Sequence, residues 1–261
     1  GVTAISCTPS YPAVLEQIIA EQFPGLTPAG LGLQLGLFGG EPGLDDPQFR
    51  ARLENTWGFK ARNANYGVSD VMCNFAAQTE QSNDLHFMAD DVLFAEIVDP
   101  ESGARCDWQE GVRGELVLTH LAKFCQPLVR FRTGDIIELT GTDAAPCGRT
   151  AFRFRVVGRS DDMVSVRGIN VFPTMIAGVV NRHPMASGEF CVVLDSAPPY
   201  DYLSLEVELA DGAAIAEDTA DWFVRELKTQ LGVTFKVTIL PFETLPRTAG
   251  KTQRIKRKAT I

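Results

Sequence analysis

The alternation of apolar patterns in the opening part of the chain constrains the fold most strongly. "GVTAISC" is an apolar run typical of a buried strand, and "AVLEQIIAEQF" carries apolar residues at helical spacing. "LQLGLFGG" predicts a second strand, and "DPQFRARLENTWG" predicts a helix with Asp46 as its N-cap, Pro47 at the first helical position and Gly58 after its end. "KARNANYG" predicts a third strand. This alternation favours an α/β layer with a mainly parallel sheet.

The pattern changes after Leu85. "RGELVLTH", "LVRFRTGDIIELT" and "AFRFRVVGRS" are strand-like segments between turns, which predicts an antiparallel, barrel-like subdomain. Beyond it, the helical patterns "FPTMIAGVVNRHP" and "TADWFVRELKTQLG" alternate with the strand patterns "FCVVLD", "LSLEVELA" and "FKVTILPF". We therefore predict two domains, 1–160 and 161–261, of which the second is a small α+β unit.

Charge and cysteine content narrow the function classes. The formal net charge is −9, which argues against nucleic-acid binding because that binding depends on neutralising phosphates with Lys and Arg. The six cysteines are widely spaced and form no C-x-x-C pair, which is typical of reduced thiols in a cytoplasmic protein. No apolar run approaches the roughly 18 residues that cross a bilayer, so no membrane partner is predicted. The chain lacks an initiator Met and a signal peptide, and we expect it to begin inside a larger protein.

Two short motifs follow predicted strands of the α/β layer. "GGEP" (39–42) is a glycine turn, and "NYGVSD" (65–70) joins an aromatic, a hydroxyl and a carboxylate. Ligands bind at the carboxyl ends of strands in open α/β sheets. Tyr66 could stack on a base, Ser69 could bond a phosphate, and Asp70 could supply an oxygen to Mg²⁺. Taken alone, each motif is equally well explained by a tight turn.

The stretch "VRFRTGDIIEL" (129–139) interrupts an apolar pattern with charges. Asp135 follows Gly134 on a predicted turn, and a carboxylate in that position can accept hydrogen bonds from both hydroxyls of a ribose. When the stretch is taken alone, a salt-bridged β-turn is the preferred interpretation. The sequence leaves the partners of Arg130 and Arg132 open.

Two further motifs lie at and beyond the predicted domain boundary. "GRSDDM" (158–163) places adjacent acids in a segment that could act as a rotating linker. "LPRTAGKTQR" (245–254) presents Lys251 in a Pro/Gly/Thr loop, from which its ammonium group could reach a phosphate. The second motif is also compatible with an ordinary basic surface tail.

The order of these motifs is more specific than any one of them. GEP, YG-x-S-acid, FRTGD, GR-x-DD and PRT-x-GK follow one another as in the adenylate-forming superfamily of acyl-CoA ligases, luciferases and peptide-synthetase adenylation domains, which the chain closely resembles. "RFRTGD" with "VVGRSDDMVSVRGINVFP" resembles the phenylacetate-CoA ligase branch. The resemblance implies the later part of the large adenylate-forming domain, followed by the small C-terminal domain. The family's Ser/Thr/Gly-rich phosphate loop is not in the sequence, so a fragment, a truncated chain or one product of a split protein is expected.

The resemblance also implies roles for individual residues. Asp135 would grip the ribose hydroxyls, Lys251 would be the adenylation lysine, and Asp161 would be the hinge for rotation of the C-terminal domain. Gly168 would lie near the pantetheine of coenzyme A, and Asp70 stands where the family usually has a Mg²⁺-binding Glu. The residues expected to bind the nucleotide are Gly40, Glu41, Pro42, Tyr66, Gly67, Ser69, Asp135 and Arg159.

Some members of the branch carry a structural zinc, which the resemblance brings into question for this chain. Thr79 and Ala145 stand at two of the expected ligand positions. The candidate ligands that remain or could compensate are His86, Cys147, Cys125 and Cys73. Zinc prefers four N or S ligands in a tetrahedron. A buried histidine with inert thiols is therefore the preferred interpretation, and zinc is the alternative.

The resemblance predicts an ATP-dependent carboxylate–CoA ligase that forms an acyl-adenylate and then a thioester, on an aryl or arylacetic acid. ATP or AMP, Mg²⁺ and coenzyme A are the implied cofactors. A carrier-protein thiol is the alternative acceptor, and a non-catalytic nucleotide- or CoA-binding remnant is the third interpretation. A second copy of the chain or a complementing N-terminal segment is the expected protein partner.

Overall fold

A computed structural model describes residues 1–41, 43–216, 218–246 and 254–257. Contacts between residues divide the chain into two units, Gly1–Ser160 and Asp161–Ile261. Two of the residues singled out in the sequence, Pro42 and Lys251, lie outside the described residues.

The first unit begins with the predicted alternation of strands and helices. Its elements are β1 (Ala4–Cys7), α1 (Tyr11–Gln22), a short 3₁₀ helix (Ala29–Leu31), β2 (Leu35–Gly39), α2 (Pro47–Trp57) and β3 (Lys60–Val68). β1, β2 and β3 pair in parallel, which confirms the predicted α/β layer. The predicted ends of α2 are also confirmed: the Asp46 side chain accepts hydrogen bonds from two helix amides, and Gly58 ends the helix in the left-handed conformation.

Antiparallel strands complete the sheet of the first unit. They are β4 (Met72–Ala77), β5 (Leu85–Phe87), β6 (Leu93–Val98), β7 (Arg113–His120), β8 (Phe131–Gly141) and β9 (Arg153–Arg159). The strand order is β1-β2-β3-β4-β5-β9-β8-β7-β6. The α/β layer and the antiparallel subdomain, which the sequence separates, are thus one nine-stranded sheet. β3 joins them because it pairs in parallel with β2 and antiparallel with β4.

Two apolar clusters stabilise this sheet. One packs α1 and α2 on the parallel strands, with Phe38, Leu53 and Trp57 almost fully buried. The other lies among the antiparallel strands and includes Phe75 and Phe154. Burying a side chain of this size contributes about 1.5–3 kcal/mol. The clusters thereby fix the strand ends from which the site residues project.

The second unit is the predicted α+β unit. Its elements are β10 (Val164–Val166), β11 (Ile169–Val171), α3 (Pro173–Val180), β12 (Ala186–Leu194), β13 (Leu203–Leu209), α4 (Thr219–Leu231), β14 (Phe235–Leu240) and β15 (Ile255–Arg257). Four strands form a sheet in the order β14-β13-β12-β15. Phe223 and Leu227 of α4 are fully buried in the apolar core of this unit. Within the described ranges of the whole chain, no helix has the length and apolar character needed to cross a bilayer.

Candidate functional site

The carboxyl ends of the three parallel strands lie side by side at one edge of the sheet. β1 ends at Cys7, β2 ends at Gly39, and β3 carries Tyr66 close to its end. In open α/β sheets this edge is where ligands bind. The "GGEP" and "NYGVSD" motifs therefore lie at the expected position.

Backbone packing brings these two motifs together. Gly39 pairs with Asn65, the residue before Tyr66, at an irregularity in the β2–β3 pairing. A Cβ atom on Gly39 would lie 2.3 Å from the Asn65 carbonyl oxygen, so only glycine allows this approach. Gly40 follows with a φ of +81°, a conformation that favours glycine. The glycine pair thus turns the chain sharply beside the end of β3.

Glu41 binds the turn that follows β1. Its Oε2 atom accepts a hydrogen bond of 2.6 Å from the Ser10 hydroxyl and a longer one of 3.4 Å from the Ser10 amide. The carboxylate also contributes, after burial, to raising the pKa of the nearby Cys7 thiol. The sequence interpretation missed Ser10, although its position in a turn directly after a parallel strand was a usable signal.

Tyr66, Asp135 and Arg159 form the centre of the site, which we name the Asp135 cluster. The Tyr66 hydroxyl donates a hydrogen bond of 2.7 Å to Asp135 Oδ2, and an Arg159 guanidinium nitrogen donates one of 3.0 Å to Asp135 Oδ1. Asp135 of β8 and Arg159 of β9 are paired residues in the sheet. The Tyr66 ring meets Phe75 and Phe154 edge to face, with centroid distances of 5.2 and 5.4 Å. The structure therefore unites three residues that stand far apart in the sequence.

The electrostatics of the Asp135 cluster hold the Tyr66 phenol in its protonated form. Burial and then the negative charge of Asp135 raise the pKa of Tyr66 well above its usual value, and the hydrogen bond to Asp135 acts in the same direction. The phenol is thus a donor to the carboxylate at any physiological pH. A carboxylate offers about four lone-pair positions, of which a ribose diol would use two.

Replacing Tyr66 by Phe should make the protein less sensitive to alkaline pH. A tyrosine whose pKa is raised by folding contributes stability that is complete below about pH 10 and is lost as the pH rises above it. The Tyr66→Phe variant should therefore have a lower free energy of unfolding than the wild type at pH 8. The difference between the two free energies should narrow as the pH approaches 11. Urea unfolding across this range measures the effect. A difference that stays constant or widens would contradict it.

The two arginines of "VRFRTGDIIEL" bind carboxylates other than Asp135. Arg130 Nε lies 3.1 Å from Glu96, and Arg132 Nε lies 2.8 Å from Glu115. Glu96 and Glu115 are both largely buried on the neighbouring strands β6 and β7. Glu115 was also missed from the sequence, although a carboxylate within the apolar run "GELVL" requires a partner when it is buried.

The β3–β4 turn carries the remaining residues of the "NYGVSD" motif. Ser69 and Asp70 are exposed in this turn, which lies three to four positions beyond Tyr66. The Lys123 ammonium group donates a hydrogen bond of 3.4 Å to the Asp70 backbone carbonyl. Gly67 packs against β4 so tightly that a Cβ atom would lie 2.0 Å from the Cys73 carbonyl oxygen.

The second unit holds the other sequence-predicted residues. Asp161 is its first residue. Gly168 lies in the two-residue turn between β10 and β11, where Arg167 and Gly168 both have positive φ angles, of 49° and 82°. This is the pattern of a tight hairpin turn of type I′.

Comparisons with known proteins find relatives of the whole chain. The protein-family model described as the AMP-binding enzyme C-terminal domain matches residues 168–258. A phenylacetate-coenzyme A ligase from Thermus thermophilus is 33% identical across 96% of this chain and 59% of its own length. One from Pseudomonas putida is 34% identical across 95% of this chain and 55% of its own length. The chain belongs to the adenylate-forming superfamily.

A solved structure is similar to this chain over nearly its whole length. A 2-hydroxyisobutyryl-CoA ligase, crystallised in the postadenylation state in complex with R3-HIB-AMP, superimposes with a TM-score of 0.85 at 32% identity. The match covers 98% of this chain and 55% of that one. The predicted superfamily and its phenylacetate-CoA ligase branch are confirmed. The chain spans between 55% and 59% of the length of the two ligases compared above.

The described residues of this adenylate-forming chain do not supply a zinc donor set. His86 is fully buried, and both of its ring nitrogens lack a hydrogen-bond partner in the described part of the chain. Cys147 is half-buried, whereas Cys73 and Cys125 are exposed. Among the residues that the structure describes, no three His, Cys, Asp or Glu side chains converge as a metal site. Zinc requires four such ligands, so His86 and Cys147 alone do not fit it.

Magnesium has a different requirement. Mg²⁺ is commonly held by one or two carboxylates together with substrate phosphates and water. Asp70 offers one exposed carboxylate at the edge of the sheet. Its chemistry therefore fits Mg²⁺ that arrives with a nucleotide, and a dedicated protein cage is not needed.

Proposed function

We propose that the protein is an ATP-dependent carboxylate–CoA ligase, which forms an acyl-adenylate and then transfers the acyl group to a thiol. The observation that carries this proposal is the Asp135 cluster. It places a carboxylate of β8, held by Arg159, in contact with Tyr66 near the carboxyl end of β3, where the preceding residue Asn65 pairs with Gly39. The similarity to phenylacetate-coenzyme A ligases supports the reaction class.

Each residue of the site has a part in nucleotide binding under this proposal. Asp135 accepts hydrogen bonds from the two ribose hydroxyls, and Arg159 neutralises its charge. The backbone of residues 40–42 lines the adenine, with Tyr66 beside it. Gly67 lets β3 approach β4 closely, and Ser69 in the turn that follows contacts the α-phosphate. Mg²⁺, bound with the help of Asp70, would screen the phosphate charges.

Lys251 acts on the reacting atoms under the same proposal. Its ammonium group stabilises the charge that develops on the α-phosphate and the attacking carboxylate during adenylation. The described residues nearest to Lys251 in the sequence are held by hydrogen bonds. The Leu245 amide donates to Glu208 at 2.8 Å, and the Arg254 guanidinium lies 2.7 Å from Glu189. These contacts fix Leu245 and Arg254 to the sheet of the second unit.

The second half-reaction needs different surfaces. We propose Asp161 as the hinge for rotation of the second unit and Gly168 as a contact of the pantetheine arm of coenzyme A. An aryl or arylacetic acid is the proposed acyl substrate, because the relatives at 33% and 34% identity are phenylacetate ligases. All six cysteines are free thiols, which supports a reducing, cytoplasmic environment.

Carboxylate-dependent exchange of pyrophosphate with ATP tests the proposal. The exchange should occur in the full product of the gene that encodes this chain, with arylacetic acids preferred over short aliphatic acids. Lys251→Ala should reduce it at least about 100-fold, the effect typical of losing one preorganised electrostatic contact. Lys256→Ala is the matched control, since Lys256 is an exposed lysine of β15 and should leave the exchange unchanged. Full exchange in Lys251→Ala would contradict the assigned role.

The acceptor thiol separates the proposed ligase from the alternatives. Thioester formation on free coenzyme A supports the CoA ligase. Thioester formation only on a phosphopantetheinylated carrier protein would replace it with a carrier-loading enzyme. Adenylate binding without exchange or thioester formation would identify a non-catalytic nucleotide-binding protein. Gel filtration of the same preparations would show whether two copies or a complementing segment assemble.

A further inference from the structure

Glu115 is a buried carboxylate beside Gly134, and the proposed nucleotide contacts do not include it. The turn predicted at Gly134 and Asp135 is wrong, because both residues lie within β8, at a point where its pairing with β7 is irregular. Only 2% of the surface of Glu115 is exposed. Its Oε2 atom accepts hydrogen bonds from Arg132, one of them 2.8 Å long. Its Oε1 atom accepts a hydrogen bond of 3.0 Å from the Gly134 amide. A buried carboxylate is stable only with such partners, so the position of the Glu115 side chain and that of the Gly134 backbone are fixed together.

Glu115 acts on the backbone of β8 through its hydrogen bond with the Gly134 amide. Gly134 has a φ of +77°, and the β7–β8 pairing is irregular between Glu115 and Val117. Where a ladder is interrupted in this way, a backbone amide is left without its partner on the neighbouring strand and pairs with a side chain or with water instead. The Gly134 amide therefore takes its partner from a side chain of β7.

A second contact from β7 fixes the residues on either side of Gly134. The Thr133 hydroxyl donates a hydrogen bond of 2.8 Å to the Leu116 carbonyl and accepts one of 3.1 Å from the Asp135 amide. Two consecutive residues of β7 thus hold three consecutive residues of β8, which are 133–135. The direction in which the Asp135 side chain leaves the backbone is set by these bonds.

We propose that Glu115 is a positioning residue that orients the Asp135 carboxylate toward the ribose diol of the nucleotide. This inference rests on the proposed nucleotide-binding function. Glu115 acts through Arg132 and the Gly134 amide. Losing its charge leaves Tyr66 and Arg159 in place but lets the backbone of β8 at Gly134 shift, so that the Asp135 carboxylate no longer meets both hydroxyls. The expected consequence is a specific loss of ribose recognition.

Glu96 provides a closely matched control. It is also a buried glutamate, with 7% of its surface exposed, on the strand adjacent to β7. It also pairs with an arginine of the same stretch, since Arg130 Nε lies 3.1 Å from its Oε2 atom. Glu96 also forms an ion pair with Arg105, at 3.8 Å. The Gly134 amide, by contrast, is bound by Glu115. Glu96→Gln thus removes a similar buried charge without changing the hydrogen bond of the Gly134 amide.

The test compares two ligands that differ only in the ribose hydroxyls. Dissociation constants for AMP and 2′,3′-dideoxy-AMP are measured by calorimetry for the wild type, Glu115→Gln and Glu96→Gln. The dissociation constant for dideoxy-AMP divided by that for AMP gives a ratio that reports the diol contacts alone. Glu115→Gln should reduce this ratio about 10-fold, the effect of losing one well-aligned hydrogen bond to a charged group, while its affinity for dideoxy-AMP stays unchanged. Glu96→Gln should keep the wild-type ratio.

The outcomes separate this proposal from the function on which it rests. A Glu115→Gln variant with the wild-type ratio would overturn the role of Glu115 alone. A wild type that binds both ligands equally would overturn the ribose assignment of Asp135 and the role of Glu115 with it. If Glu115→Gln fails to fold, Arg132→Gln carries the test. Its side chain is 51% exposed, and its loss should reduce the ratio about threefold, because of the bonds that fix Glu115 only the one from the Gly134 amide would remain.

Discussion

Replacing Asp135 by Ala should weaken the binding of AMP at least about 100-fold. Two hydrogen bonds between ribose hydroxyls and a carboxylate contribute about 1.5–3 kcal/mol each, and each 1.4 kcal/mol corresponds to a factor of ten. The variant also leaves the Tyr66 hydroxyl and the Arg159 guanidinium without the acceptor that they share. Isothermal calorimetry with AMP measures the effect directly.

Two controls make the Asp135→Ala result specific. Asp135→Asn keeps the shape and one acceptor oxygen, so it should lose less affinity than Asp135→Ala. Asp143→Ala removes another carboxylate, two residues beyond the end of β8, which pairs with Arg153 at 2.6 Å and is 81% exposed. It should bind AMP as the wild type does. An Asp135→Ala variant that retains wild-type affinity while remaining folded would contradict the ribose contact.

Replacing Gly67 by Ala should destabilise the first unit by about 3 kcal/mol, the upper range for inserting atoms into a packed region. The new Cβ atom would lie 2.0 Å from the Cys73 carbonyl oxygen and 2.3 Å from its carbon. These are backbone atoms of the paired strand, so rotation of a side chain cannot relieve the overlap. β3 and β4 would have to separate beside Tyr66, and nucleotide affinity should fall as well.

A glycine in open space is the control for Gly67. Gly178 lies in α3 with no atom within 4 Å of an added Cβ atom. Gly178→Ala should therefore stabilise the helix by up to about 1 kcal/mol, because alanine has the higher helix propensity. Urea unfolding of both variants gives the two free energies. A Gly67→Ala variant as stable as the wild type would contradict the tight β3–β4 packing.

The local structure of the chain was predictable because it depends on neighbouring residues. Asp46, Pro47 and Gly58 define the ends of α2 through hydrogen bonds and backbone conformations within the helix itself. The helix α4 ends at Gly232 for the same reason. Such signals lie within a few positions of one another, so the sequence states them directly.

The contacts inside the site depend on strand order, which local patterns do not contain. Tyr66 and Asp135 are 69 positions apart, and their bond exists because β5 pairs with β9 rather than with β6. The motif order identified both residues as nucleotide-binding candidates but gave no reason for them to touch. The antiparallel strands likewise appeared in the sequence as a separate subdomain, because the pairing of β3 with both β2 and β4 is a non-local choice.

The charges of "VRFRTGDIIEL" show where strand alternation could have added to the prediction. Successive side chains of a strand point to opposite faces, which separates Arg132 from Asp135. In the structure Arg132 is exposed, whereas Asp135 is buried. The partner of Arg132 remained unknown because Glu115 belongs to another strand, and its register with β8 is irregular at this point.

A crystal structure of the protein with AMP or an acyl-adenylate analogue tests the central claim most directly. The account predicts the ribose at the carboxyl edge of β1, β2 and β3, with both hydroxyls about 2.5–2.7 Å from the Asp135 carboxylate. Tyr66 and Arg159 should keep their hydrogen bonds to the same carboxylate. A nucleotide bound elsewhere, or one whose ribose hydroxyls face solvent while Asp135 contacts only Tyr66 and Arg159, would contradict it.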